Sequence, residues 1–375
     1  MKTKGALLWG LNEPWSVEEI EIGDPRKGEV KVRVEAAGIC HSDHHLVTGA
    51  SPMPAFPILG GHEGAGVVTE VGEGVDRYVP GDHIVFSFIP ACGHCPACQE
   101  GYRNLCDLGA GLLMGASISD GSFRIRARGA DAYPMSLLGT FSPYAVVHQD
   151  SVVKIDPTIP FEYACLVGCG VTTGFGSAVH TADIQPGHDV GVIGIGGVGA
   201  AAIQGAVRAG ARNIVAIDPV PWKLEQAKKF GATHTFASVA EAMGPVVELT
   251  HGRMLRKVIV TAGDVKGAEL DSWMSITSKA GDCVLTGVGN LLDSDVTLTL
   301  SMLTLMQKSL RGSIFGGANP QVDIPMLLSL YQNQQLDLEG MVTRTYTLEQ
   351  INDAFDDMLD GRNIRGVIRY AEADW

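Results

Sequence analysis

The chain has 375 residues, 45% of them hydrophobic, enough for two or three domains with packed cores. Its formal net charge of −14 excludes the basic footprint that nucleic acid or an anionic membrane would need as a partner. A small neutral ligand, or one reached through a bound cation, suits such a protein better.

Met1-Lys2-Thr3-Lys4 runs directly into strand-like sequence with no apolar signal segment, so a cytoplasmic location is expected. Up to about residue 165, short Val/Ile runs such as Glu29 to Ala36, Gly66 to Val71 and His83 to Phe86 alternate with Gly and Pro, which predicts a β-rich domain with loops. From about residue 170 the rhythm becomes strand then helix. Asp189 to Ile195 is followed by a helix to Arg208, Asn213 to Asp218 by a helix from Lys223 to Phe230, and further strands are expected at Lys257 to Val260 and Gly281 to Leu285. Such alternation predicts a doubly wound parallel sheet covered by helices, the Rossmann architecture of the α/β class.

The uncharged run from Val190 to Val207 is long enough for a membrane span, but its glycines leave little bulky apolar surface, and a buried strand, turn and helix explain it better. Near Arg311 to Gly317 the chain leaves the sheet, and a helix at Leu348 to Leu359 and a strand at Val367 to Tyr370 are expected to pack back on the first domain. The reading is therefore a β-rich domain of residues 1-170 and 314-375 around a dinucleotide-binding domain of residues 171-313.

Gly194-Ile195-Gly196-Gly197-Val198-Gly199 fits G-x-G-x-x-G, follows the apolar strand and opens a small-residue helix. Glycines at those places permit a tight turn and close backbone approach, so that the helix N-terminus can face a pyrophosphate. The next strand ends in Asp218, where an acid can accept hydrogen bonds from the adenosine ribose and repel a 2′-phosphate. The cofactor expected is NAD rather than NADP.

Eight cysteines in a cytoplasmic chain make a poor disulfide framework, and four of them fall between Cys92 and Cys106. Cys92, Cys95, Cys98 and Cys106 in one short loop suit closed tetrahedral zinc. The bacterial iron–sulfur run places its fourth cysteine after three residues and before proline, whereas here Asp107 follows a longer gap. Cys40, His62 and Cys169 are scattered and individually unremarked, but together they would give a zinc site with three ligands and one open position.

In their order and spacing these pieces resemble the zinc-dependent medium-chain alcohol dehydrogenases, and the resemblance covers essentially the whole chain. It implies a GroES-like catalytic domain joined to the Rossmann domain and two zinc ions per chain, a catalytic one on Cys40, His62 and Cys169 and a structural one on Cys92, Cys95, Cys98 and Cys106. It implies that Glu63 sits beside the metal, that Asp43 orients the His62 ring, and that Ser42 and His45 carry the proton to solvent. Cofactor contacts carried over are His41 and Arg365 near the pyrophosphate, Thr173 near the nicotinamide and Lys223 near the adenosine, besides Gly194, Gly196, Gly197, Val198, Gly199 and Asp218. Phe88, Leu138, Val288 and Ile314 are placed around the substrate, with Val288 also at the cofactor; His44 reads as a surface residue. The implied reaction is oxidation of primary, apolar alcohols to aldehydes, and the reverse, by a homodimer or homotetramer.

Within the family the chain looks most like actinobacterial alcohol dehydrogenases that work with a nitrosoaniline acceptor, some of which keep NAD bound between turnovers. Asp218-Pro219-Val220-Pro221-Trp222, stiffer and bulkier than the usual link, fits that subgroup. The rival readings are a thiol-dependent formaldehyde dehydrogenase, a polyol dehydrogenase and a non-catalytic dinucleotide-binding protein; Cys169 argues against the second, and Ser42 and His45 beside the metal ligands argue against the third.

Overall fold

A computed structural model describes residues Met1–Trp375. The backbone forms two compact units, one of Met1–Cys169 with Asn319–Trp375 and one of Gly170–Ala318.

The first unit is built on β-sheet. Its larger sheet has seven strands, with Val152–Lys154, His83–Phe86, Gly64–Val71, Glu29–Gly38, Arg365–Arg369 and Val342–Tyr346 side by side, and Tyr144–His148 also pairing with Glu29–Gly38. The central strand, Glu29–Gly38, alternates Val30, Val32 and Val34 into the core with Lys31 and Arg33 between them, as a pleat requires. The last strand of the chain lies antiparallel beside it, Val367 opposite Gly38. This register returns the C-terminal segment to the first unit and delivers Arg365 to its interior.

The second unit holds six parallel strands. In space they run His234–Phe236, Asn213–Ile217, Asp189–Ile193, Leu255–Val260, Thr277–Leu285 and Ser309–Gly312. Numbered by sequence, that is the doubly wound order 3-2-1-4-5-6, whose switch point lies between Asp189–Ile193 and Leu255–Val260. Strands buried on both faces read as unbroken apolar runs such as Val190–Ile193 and Val258–Val260, which is why the sequence displayed them so clearly. The glycine-rich stretch that could have been mistaken for a membrane span is a strand, a turn and the helix Gly197–Arg208. No helix is long and apolar enough to cross a membrane.

Candidate active site and dinucleotide site

Cys40 ends the approach to the helix His41–Thr48, His62 and Glu63 precede the strand Gly64–Val71, and Cys169 closes the first unit's main segment. All four are buried, and their ligand atoms lie within 4.8 Å of one another. Two thiols, an imidazole and a carboxylate converging in a buried cluster make a donor set suited to a metal ion. The Glu63 Oε1 atom is buried with no hydrogen-bond partner, an orphaned acceptor that a metal in this cluster would meet. The donor set therefore fits zinc.

The imidazole is held from behind. Asp43, fully buried on the helix, places Oδ2 3.1 Å from His62 Nδ1, while its Oδ1 accepts the Gly61 N–H at 2.8 Å. That places the carboxylate against Nδ1 and leaves Nε2 as the nitrogen available to a metal. The electrostatics follow the crowding. The Cys40 thiol is pushed well below its ordinary range, first by its hydrogen bond with Cys169, and against the effect of burial, while Cys169 is pushed well above. Burial would lower the His62 pKa, but Asp43 and Cys40 outweigh it and raise it.

Glu63 has a partner that sequence reasoning missed. Its Oε2 accepts from Arg365 Nη2, with both side chains buried. Burial raises the Glu63 carboxyl to about 7 against the pull of that guanidinium. Arg365, expected at a pyrophosphate, thus has its charge turned on the acid of the cluster. Thr140 Oγ1 donates to the Glu63 carbonyl at 2.8 Å, and the buried Tyr370 hydroxyl donates to the Thr140 carbonyl at 2.9 Å. Neither residue carries a motif, so only the fold could reveal them.

The flanking residues divide. Ser42 Oγ stands 3.8 Å from Cys40 Sγ, and His45 is buried on the same helix with its ring 5.8 Å from that of His41. His44 is half-buried, with its ring 6.5 Å from that of Phe355. Phe88 meets the His62 ring edge-on at 5.8 Å. Leu138, expected to line the substrate, is 1% exposed in the same core as Trp15 and Phe141 and has almost no surface to offer; core packing accounts for it.

Cys92, Cys95, Cys98 and Cys106 likewise bring their sulfurs within 4.8 Å of one another. Cys95 Sγ and Cys106 Sγ are 3.9 Å apart, close to the edge of about 3.8 Å expected of a tetrahedron with Zn–S bonds of about 2.3 Å. Backbone N–H groups of Cys92, Cys95 and Asp107 each donate to a sulfur at 3.4 Å, as thiolates require. The Asp107 amide is the main reason the Cys95 thiol falls to about 7.

In the second unit the glycine turn behaves as two kinds of site. A Cβ on Gly199 would lie 2.0 Å from the Gly194 carbonyl oxygen, so that glycine is required by the protein itself. Gly196 has an ordinary negative φ and nothing within 4 Å of where its Cβ would stand, so the fold alone does not demand glycine there. A ligand pressed against the backbone would, and the helix that follows has no side-chain cap on its first N–H groups. Thr173 Oγ1 is a further buried polar atom with no partner.

Asp218 has a role the sequence did not show: Oδ2 accepts from Ile195 N at 2.7 Å and Oδ1 from Val220 N at 2.8 Å, tying the turn to the end of its strand. Thr261 Oγ1 donates to the Gly194 carbonyl and braces the other side. Lys223 is half-buried in the first turn of the helix Pro221–Lys229, Trp222 beside it is 37% exposed, and Val288 and Ile314 are exposed.

Two family comparisons match: residues 26–157 to the alcohol dehydrogenase GroES-like domain and residues 197–333 to the zinc-binding dehydrogenase domain. Alcohol dehydrogenase B of Mycobacterium tuberculosis is 65% identical over 374 residues, covering 100% of both chains. An NDMA-dependent alcohol dehydrogenase of Amycolatopsis methanolica is 47% identical over 371 residues, 99% of this chain and 100% of that one. Among solved structures, benzyl alcohol dehydrogenase from Acinetobacter calcoaceticus matches with a TM-score of 0.90 at 27% identity, over 99% of this chain and 100% of its own.

The packing around Glu63 yields a direct test. A Cβ on Gly38 would come within 2.4 Å of Glu63 Oε2 and 2.9 Å of Arg365 Nη2. Gly38→Ala must displace the pair, and a loss of about 2 kcal/mol in unfolding free energy is expected by denaturant titration. An unchanged midpoint would mean that the pair yields without cost.

Proposed function

Because this chain belongs to the zinc-binding medium-chain alcohol dehydrogenase family, with a GroES-like domain and a Rossmann domain, we propose that it oxidises primary, apolar alcohols to aldehydes, and the reverse, with NAD. The observation that carries this reading is the buried convergence of Cys40, His62 and Cys169 with Asp43 behind the imidazole. Three ligands leave one position for substrate, whereas the four-thiol set is closed. Zinc in the open site supplies a Lewis acid that lowers the pKa of an alcohol, and NAD supplies the hydride acceptor.

The chain's own residues do the rest. Asp43 keeps the His62 ring in place, and Arg365 holds Glu63 beside the ligands. Ser42 and His45 stand on one helix beside Cys40, and a hydroxyl and an imidazole can each accept and donate, which suits passing the alcohol proton outward. The Phe88 ring against His62 supports an apolar approach to the site, as does the likeness to a benzyl alcohol dehydrogenase.

Cofactor preference rests on the Asp218 carboxylate, which would repel a 2′-phosphate. Eight cysteines, six of them read as zinc ligands rather than disulfide partners, fit a reducing, cytoplasmic compartment. A homodimer or homotetramer is supported by the sheet's edge strand Ser309–Gly312, where Leu310 is exposed, and by exposed Leu300 and Leu305 on the preceding helix.

Elemental analysis should find two zinc ions per chain. Cys40→Ala is expected to retain about one and lose alcohol turnover while staying folded; Cys95→Ala is expected to lose one and melt at lower temperature, since structural zinc contributes directly to folding. Iron in place of zinc, or one ion per wild-type chain, contradicts the assignment.

The relative named NDMA-dependent, together with the Pro219 and Pro221 link, supports a second reading: NAD stays bound through purification and is regenerated in place. Pro221 sits in the helix's first turn and fixes the link's backbone, which favours slow release. Denaturing gel-filtered protein should release about one NAD, and no NADP, per chain. Dinucleotide-free protein that oxidises alcohols at ordinary rates with free NAD would contradict it.

A further inference from the structure

The second unit contains a cavity of about 950 Å³ at the amino-terminal edge of its parallel sheet, the opposite end of the strands from the glycine turn. Its lining comes from residues that open or precede the strands, such as Asp189, Met254, Thr277 and Lys308. Ligands of doubly wound sheets gather at the carboxyl ends, so the dinucleotide does not account for this cavity.

Charge sets the cavity apart. In a chain of net charge −14, its lining holds Arg212, Arg253, Arg256, Lys279 and Lys308 against a single acid, Asp189. Arg212 neutralises that acid with hydrogen bonds of 2.6 and 3.0 Å. Arg253 is oriented by the Thr250 carbonyl and Arg256 by the Lys279 carbonyl, neutral acceptors that leave both guanidinium charges uncompensated. Lys308 is 8% exposed and donates to the Met274 carbonyl at 2.6 Å and to Met302 Sδ at 3.9 Å, with one N–H donor to spare. His188, also in the lining, is held below its ordinary pKa first by burial and then by Lys257 and Arg256, against the pull of Asp183 and Asp189.

The remaining wall is apolar and adaptable: Met243, Val247, Met302 and Met306. Three lining residues, His251 (φ 52°), Met254 (φ 69°) and Ala280 (φ 52°), have left-handed backbone.

We propose that this cavity binds an amphiphilic anion, a carboxylate or phosphate head on an alkyl chain, with the head at Arg253, Arg256, Lys279 and Lys308 and the chain along the methionines. The volume suits a ligand of that size. The site is independent of the alcohol and dinucleotide sites.

Octanoate and octyl phosphate, titrated calorimetrically below their micelle concentrations into the zinc-loaded enzyme saturated with NAD, test it. One site per chain is expected, weakened at least tenfold in the double variant Arg253→Glu, Lys279→Glu, whose unchanged alcohol turnover would report an intact fold. Should that variant not fold, Lys279→Gln alone, at an exposed position, should weaken binding about threefold. Tighter binding of one probe identifies its head group as the one the site takes. Equal affinity in wild type and variant, as binding at the alcohol site would give, overturns the proposal. So does equal binding of octyltrimethylammonium, or a variant that dissociates into subunits with its affinity for the probes unchanged.

Discussion

A carboxylate and a guanidinium separated by 302 positions meet in the interior of the first unit, and much of the site depends on that meeting. Glu63 adjoins His62, and Arg365 opens the last strand, which lies in the sheet between Glu29–Gly38 and Val342–Tyr346. Removing one partner of a buried pair leaves an uncompensated charge at a cost of about 3–5 kcal/mol. The pair can persist because each side is crowded into place: Gly38 gives it room, Thr140 holds the Glu63 backbone, and Tyr370 holds Thr140. Correct return of the C-terminal segment and correct placement of the acid beside Cys40, His62 and Cys169 are thus one structural event.

The two units prepare for their ligands by opposite means. In the first, ligand atoms converge in the interior, two thiols, one imidazole and one carboxylate within 4.8 Å, and the buried Glu63 Oε1 is left for a cation to satisfy. In the second, atoms are removed. Gly196 offers bare backbone to a space that nothing in the protein fills, while Asp218 and Thr261 tie the turn down on either side. Rigidity in both places comes from side chains that touch the backbone, and a site held that way loses little entropy when a ligand arrives.

What the sequence displayed and what it hid follow from the range of the forces involved. Apolar runs buried on both faces, the glycine turn and the Cys92-to-Cys106 spacing are local patterns, and they announced the parallel sheet, the turn and a four-thiol cluster. The Glu63–Arg365 pair, the Thr140 and Tyr370 braces and the cationic cavity are made by residues far apart in sequence, with no spacing to betray them. Leu138 shows the converse error: position relative to a motif suggested a substrate wall, but packing in the core with Trp15 and Phe141 decided its place. Asp218 joined the two: its charge was legible, its grip on Ile195 and Val220 was not.

The account turns on six thiolates and one imidazole serving as the protein ligands of two zinc ions. Zinc K-edge X-ray absorption of the purified enzyme measures that ligand shell directly. The account predicts about three sulfurs per zinc at about 2.3 Å, with a minor nitrogen or oxygen contribution at about 2.0–2.1 Å. A shell dominated by nitrogen and oxygen, or one with four sulfurs and no lighter ligand, would contradict it.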